Sequence, residues 1–224
     1  MKYSAVIPVH NEEESILPLY NRLKAVLDGL GEPYEIIFVD DASTDTGLTK
    51  LETLRSAAPQ LVILAHKTRR GQSAALQTGF DAARGELIIT LDGDLQNDPE
   101  DIPKLLEKIK EGYDVVCGWR KNRKDPLVRK ISSRVANAAR KLVLGETIHD
   151  VGCSLRVFKR EVLEKITLGG EDHRFFTAFA AKYGFRVGEA EVHHTPRQYG
   201  HSKYDTWKRF RKGLTDLVRI KRMK

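Results

Sequence analysis

The run "IITLDGDLQNDPEDI", residues 88 to 102, ends an apolar stretch at Leu91 and then sets Asp92, Asp94, Asp98, Glu100 and Asp101 within ten residues. Part of this is ordinary helix punctuation: Asp98 suits an N-cap, Pro99 the first helical position, and Asp101 follows three residues after the cap. Asp92 and Asp94 are left over. Two carboxylates at i and i+2 around Gly93 repel each other unless a cation lies between them.

The chain that must position them has 224 residues, enough for one large α/β domain that buries a full core without disulfide or metal staples. Its two cysteines, Cys117 and Cys153, lie far apart in a chain with no signal-like N-terminus, which predicts reduced thiols and a cytoplasmic protein. No apolar run approaches the ~20 residues that span a bilayer, so any membrane association is expected to be peripheral. The charge is divided unevenly. Residues 1–118 hold 12 Lys and Arg against 20 Asp and Glu, whereas residues 119–224 hold 26 against 11. An acidic half suits metal binding; a basic half suits phosphates, nucleic acid or anionic lipid.

Periodicity predicts strands over 3–9, 34–40, 61–66, 86–92 and 113–119, with helices over 12–29, 46–58, 72–84 and 100–111 between them. Such alternation implies a mostly parallel sheet with right-handed crossovers and ligands beyond the carboxyl ends of the strands. Those ends read "VHNEEE", "VDDASTD", "LDGDLQ" and "GWRKNR". Neither the dinucleotide fingerprint nor the P-loop is present, so a nucleotide here has to be held by carboxylates, a cation and arginines. Further on, a helix is expected over 126–144, strands over 153–158 and 185–194, and helices over 159–166 and 171–183. From Tyr204 a basic amphipathic helix carries Trp207, Phe210, Leu214, Leu217 and Val218 at helical spacing. The expected division is a catalytic domain over 1–203 and this helix over 204–224, lying either on a membrane face or packed on the domain.

Taken together, "VIPVHNEEE", "VDDASTD", "LDGDLQNDPE", "DVGCSLR" and "RQYGHSKY" resemble a family 2 glycosyltransferase of the GT-A fold, along essentially the whole chain. The branch it resembles most is that of the polyprenyl-phosphate glycosyltransferases, the dolichyl-phosphate mannose synthases and the bacterial enzymes that load sugars onto undecaprenyl phosphate. The resemblance implies a nucleotide-sugar donor, with a UDP-sugar favoured over GDP-mannose, a polyprenyl phosphate acceptor and inversion at the anomeric carbon. It also implies a divalent cation, Mg²⁺ or Mn²⁺, held by Asp92 and Asp94 with Gln96 adding a neutral oxygen, which would neutralise the departing diphosphate. Many members run on from the last helix into transmembrane segments. The expected location is the inner face of the membrane, with self-association or a separate membrane-anchoring partner both compatible.

By the same resemblance Pro8, Val9, His10, Asn11 and Glu12 line the nucleotide pocket with Asp92 and Gly93, and Asp40 or Asp41 hydrogen-bonds the base. Asn11, Ser43 and Asp45 also have local uses as helix caps. Arg70 is the arginine expected to face the nucleotide, although Thr68-Arg69-Arg70-Gly71 stands where the family usually places Arg-Asn-aromatic-Gly. Arg120, Arg129 and Ser133 are expected at the acceptor phosphate, joined by Arg197, Ser202 and Lys203 from the loop around Gly200. Asp150 is the family-matched base and Asp172 its rival, the latter also suited to cap the following helix; a phosphate acceptor, already ionised, needs little proton abstraction. His173, His193 and His194 read as structural. Two other functions compete with this one: transfer to a saccharide hydroxyl, which a base role for Asp172 favours, and nucleic-acid binding by the basic half. No nucleic-acid motif or stacking platform supports the second, so no nucleic acid is expected as a partner.

Overall fold

The structure, a computed structural model, describes residues 1–121 and 148–196. Strand β1 (Tyr3–Val9) pairs in parallel with β2 (Tyr34–Asp40) on one side and β4 (Leu87–Thr90) on the other, and β3 (Leu61–Ala65) extends the sheet beyond β2. On the far side β5 (Val115–Trp119) and β7 (Val187–Glu191) pair in parallel. Between the two parallel groups β6 (Arg156–Lys159) runs antiparallel to both β4 and β5. The order among the described residues is β3-β2-β1-β4-β6-β5-β7, mostly parallel as the alternation implied.

Alternation along the strands divides the core. Ile36 and Phe38 face one layer, Ile37 and Val39 the other, as a period of two requires. The first layer is covered by α1 (Ile16–Gly29), α2 (Gly47–Leu54) and α4 (Ile102–Lys110). The second is covered by α3 (Gln72–Ala82) and α5 (Phe176–Lys182), where Phe80 meets Phe158 edge-on at 5.6 Å and Phe158 meets Phe176 at 4.6 Å. Helices on both faces leave the carboxyl edge of β1, β2 and β4 as the accessible rim.

Several boundaries differ from the sequence reading for local reasons. Helix α1 begins at Ile16, not residue 12, because a helix from residue 12 needs a Pro18 N–H to bond back to Glu14, and proline has none. The strand expected from Cys153 begins at Arg156, after a turn in which Cys153 N–H donates to the Asp150 carbonyl. The helix expected over 159–166 is a 3-10 turn, Arg160–Glu164. The one expected over 171–183 divides into a 3-10 turn, Asp172–Phe175, and α5. The helix over 126–144 and the C-terminal helix from Tyr204 lie outside the described residues.

A buried carboxylate joins the other edge of the sheet. Glu35 accepts from Ser4 Oγ at 2.6 Å, from Arg84 N at 2.7 Å, and from Arg84 Nε and Nη2 at 3.0 and 2.7 Å, tying the α3–β4 connection to β1 and β2. Burial raises the Glu35 carboxyl, but the Arg84 and Ser4 bonds outweigh it and hold the group below its ordinary 4.5. Glu35 therefore stabilises the fold fully above the unfolded glutamate value, and the contribution is lost as pH falls through the lower folded value. Glu35→Gln is expected to cost about 2 kcal/mol at pH 7 in urea denaturation, with the gap to wild type closing below about pH 4.

Candidate active site

Asp92 and Asp94 stand just past the carboxyl end of β4, where Gly93 passes so close to β1 that a Cβ there would lie 2.7 Å from Val9 Cγ1. Any side chain at 93 would push the acidic turn off the strand beside it. Asp92 receives a hydrogen bond from Gln72 Nε2 at 2.7 Å, and its backbone N–H donates to Ser154 Oγ at 3.2 Å. Asp94 is buried and accepts from the backbone N–H of Gln96 at 3.2 Å. Burial, with the neighbouring Asp94 charge next in size, pushes the Asp92 carboxyl up to about 6. Asp92 is thus held charged at neutral pH against its burial and the neighbouring carboxylate. Among the described residues no third acidic, histidine or cysteine ligand closes a cluster around the pair. Two carboxylates with open positions fit a hard, oxygen-seeking cation that keeps sites for water and phosphate.

The loops after β1 and β2 are laced together beside this turn. Asn11, at φ 52°, accepts from Thr44 N at 2.7 Å and donates its own N–H to Ser43 Oγ at 2.9 Å; Glu13 N–H donates to Asp45 Oδ2 at 2.9 Å. Asp45, one residue before the N-cap Thr46, also accepts at Oδ1 from Gly47 N–H at 3.0 Å, and Asn11 bonds the neighbouring loop, so neither takes the N-cap position expected of it. Ser15, fully buried, donates to the Gly93 carbonyl at 2.6 Å, fastening the start of α1 to the acidic turn.

The two aspartates ending β2 have different surroundings. Asp41 accepts from Arg70 N, Gly71 N and His66 Nδ1, each at 2.8 Å. Burial raises its carboxyl, but these bonds prevail and hold it below 3.8. Asp40 is buried too. Its Oδ2 accepts from Ser43 N at 3.1 Å, while its Oδ1 has no hydrogen-bond partner among the described residues. Asp41 anchors the loop that ends at Gly71, whose φ of 92° turns the chain into α3 and delivers Gln72 to Asp92.

On the opposite side Arg120 follows β5. Asp150 Oδ2 accepts from Arg120 Nε at 2.7 Å and Oδ1 accepts from Nη2 at 2.9 Å, both side chains being about one-tenth exposed. Burial alone lowers the Arg120 pKa; the bonds to Asp150 and its charge reverse this and raise it. Beneath Asp92 lies Arg156, buried at the head of β6, donating from Nη1 to the His173 carbonyl at 3.0 Å and from Nη2 to the Val151 carbonyl at 3.2 Å. Asp172 is buried, with Oδ2 accepting from Gly169 N–H at 3.3 Å, and opens the 3-10 turn before α5 without capping that helix. Its neighbour His173 shares a 2.8 Å bond between Nδ1 and Ser73 Oγ.

The family model described as Glycosyl transferase family 2 matches residues 4–167, which include every strand end just described except that of β7. The chain belongs to glycosyl transferase family 2. A dodecaprenyl-phosphate galacturonate synthase of Rhizobium johnstonii is 41% identical over 225 residues, covering 98% of this chain and 66% of that protein. An undecaprenyl-phosphate 4-deoxy-4-formamido-L-arabinose transferase of Yersinia pestis is 43% identical over 205 residues, 91% of this chain and 62% of that one. The chain thus spans less than two thirds of the length of these curated relatives. Among solved structures, glucosyl-3-phosphoglycerate synthase from Mycobacterium tuberculosis in complex with Mn²⁺, uridine-diphosphate and phosphoglyceric acid matches with a TM-score of 0.76 at 19% identity. That match covers 100% of this chain and 79% of that chain. S. aureus TarS 1–349 in complex with UDP-GlcNAc matches at 0.68 and 18% identity, over 98% of this chain and 66% of that chain. These likenesses establish the GT-A fold.

For this family 2 chain the structure brings together Val9, Asp92, Gly93 and Asp94, and holds Asp40 and Asp41 one strand further away. Asp40 and Asp41 do not end the strand next to the dyad: β1 lies between β2 and β4, because the first crossover places β2 on one side of β1 and the third places β4 on the other. Gln96 meets Asp94 through its backbone N–H; the glutamine whose side chain touches the dyad is Gln72. Pro8, His10, Glu12 and Arg70 lie on or beside the laced loops, and Arg70's contact with Asp41 is made by its backbone. Arg129, Ser133, Arg197, Ser202 and Lys203 lie outside the described residues. Sequence reasoning missed Gln72, Ser154 and Arg156, although the last two stood in "DVGCSLR" and Gln72 directly follows Thr68-Arg69-Arg70-Gly71. A charged Arg156 directly before the buried apolar pair Val157 and Phe158 was the signal for the last of the three.

Because the folded Asp92 value lies above its ordinary 3.8, the cation-free protein loses stability as pH rises from about 4 through about 6. Asp92→Asn, which keeps the oxygen facing Gln72, is expected to raise the Tm of the cation-free protein by about 2–4 °C at pH 7.5 and by little at pH 4. Asp41→Asn is expected to do the reverse, lowering Tm by about 4–8 °C, since an amide cannot accept from both sides of the loop. Differential scanning fluorimetry in EDTA reads both.

Proposed function

We propose that this chain is the catalytic part of an inverting, cation-dependent glycosyltransferase that moves a sugar from a UDP-sugar to a polyprenyl phosphate at the inner face of the membrane. The observation that carries the reading is the Asp92-Gly93-Asp94 turn at the carboxyl rim, where two carboxylates lie side by side near a fixed arginine, in a chain 41–43% identical to proteins named for polyprenyl-phosphate sugar products and acceptors. Mg²⁺ or Mn²⁺ held by Asp92 and Asp94 would supply charge neutralisation for the leaving diphosphate.

The chain's own residues divide the remaining work. Asp40 reads the base: its one unpartnered oxygen suits the single ring N–H of uracil, whereas guanine offers two adjacent donors and Asp40 Oδ2 is already taken by Ser43. Asp41 holds the 66–71 loop and leaves the nucleotide to its neighbour. Gln72 and Gly93 keep Asp92 in place. Arg120, with Arg129, Ser133, Arg197, Ser202 and Lys203, offsets the acceptor phosphate charge and aligns it for a single in-line displacement. With an ionised phosphate as nucleophile no strong base is needed, in keeping with an Asp150 whose two oxygens are bonded to Arg120. No helix among the described residues is long and apolar enough to cross a membrane, so contact with the lipid acceptor is assigned to the basic surface.

The test combines a thermal-shift panel with a transfer assay. A UDP-sugar with Mn²⁺, at 100 times its dissociation constant, is expected to add about 2.7 kcal/mol of stability while GDP-mannose adds little. Asp94→Asn should abolish transfer to undecaprenyl phosphate and leave the fold intact. Arg129→Ala should raise the KM for the lipid phosphate with donor binding unchanged. Transfer to a sugar hydroxyl regardless of added polyprenyl phosphate, or a product that keeps the donor's anomeric configuration by NMR, would refute the reading.

A further inference from the structure

Glu189 lies in β7, at the edge of the sheet, and enters neither the sequence motifs nor the roles assigned above. Its carboxylate reaches over the end of β5 to the turn that carries Asp150. Oε1 accepts from the backbone N–H of His149 at 2.8 Å and of Asp150 at 3.0 Å, and Oε2 lies 2.8 Å from His149 Nδ1. The Glu189 side chain is about one-tenth exposed, whereas the His149 ring is about two-thirds exposed, so the backbone bonds rather than the ring contact carry the grip. His149 is also stacked on Trp119, ring centres 4.6 Å apart and planes 20° from parallel, which fixes the turn from a second direction.

What the turn holds is Arg120. Asp150 takes its Nε and Nη2 and also, at 3.2 Å, its backbone N–H. Asp150 therefore uses one edge of the guanidinium and leaves the Nη1 end for a second anion, since a planar fork has five N–H donors. The direction of that end is set by the plane of the Asp150 carboxylate, which is set by the turn, which is gripped by Glu189.

We propose that Glu189 is a positioning residue for the acceptor side of the site, aiming Arg120 at the acceptor phosphate through His149 and Asp150. The inference rests on the polyprenyl-phosphate reading and adds to it a residue from the edge strand. It accounts for three donors converging on one carboxylate at a strand edge, where one neutral turn residue would suffice for folding.

The experiment uses the full chain and three forms, wild type, Glu189→Ala and Glu189→Gln. The glutamine keeps an oxygen for both backbone amides; the alanine keeps none. Hydrogen exchange of the Arg120 amide, on a different element from Glu189, is expected to be about tenfold faster in the alanine form and near wild type in the glutamine form. In transfer assays the alanine form should show a KM for undecaprenyl phosphate about tenfold higher, a KM for the UDP-sugar within about twofold, and rescue by glutamine. An unchanged Arg120 amide, or equal changes in both KM values, overturns the relay. A wild type that transfers to no polyprenyl phosphate while the exchange arm behaves as expected overturns the acceptor reading, and the assignment of Glu189 with it.

Discussion

Two carboxylates at the end of a buried strand are unfavourable for a fold unless something cancels their repulsion. In this chain the protein supplies only part of that cancellation. The Ser154 bond, Arg120 and Arg156 lower the Asp92 pKa, yet burial and Asp94 still drive it upward. On the proposed reading a divalent cation would offset that charge, and the local cost in stability would keep a site ready for it. The rest of the domain is arranged so that the turn cannot relax: Gly93 presses on Val9, Ser15 holds the Gly93 carbonyl, and Gln72 and Ser154 hold Asp92.

A single device recurs around this turn. Asp41 grips the loop before α3, Asp45 joins the loops after β1 and β2, Asp101 takes the His193 N–H at 2.6 Å, and Glu189 grips the 149–150 turn. Each is a carboxylate accepting backbone N–H groups from a segment distant in sequence. Charge-assisted bonds of this kind are stronger than neutral ones and directional, so they fix loops that carry no regular hydrogen-bond ladder of their own. The acidic half of the chain consequently has two uses. Asp92 and Asp94 form the acidic turn to which the proposed reading assigns a cation, while most neighbouring carboxylates are consumed in fastening the rim.

That division explains why charge composition alone could not sort them. Asp40 and Asp41 are adjacent, both buried and both at a strand end, yet one has an oxygen without a partner among the described residues and the other holds three donors. Successive side chains of a strand point to opposite faces, so neighbours in sequence meet different loops. Asp150 and Arg120 are likewise each plausible as isolated site residues, and the fold makes them one bonded unit.

The sequence by itself determined the alternating architecture, the strand-end location of the site and the special character of the Asp92-Gly93-Asp94 turn. Each follows from short-range facts: period-two apolar runs, breakers at helix ends, and two like charges too close to be left without a counter-ion. Family resemblance along the whole chain suggested the donor and acceptor classes of the proposed function. Only the tertiary structure decided that β6 slots antiparallel between β4 and β5, that β1 separates the two acidic strand ends, that Gln72 and Ser154 bond Asp92, and that Glu189 bonds the 149–150 turn. Those facts depend on which strands become neighbours and which side chains are then within about 3 Å of one another. Sequence spacing carries no record of such distances, because loop closure costs only slowly more as the separation grows.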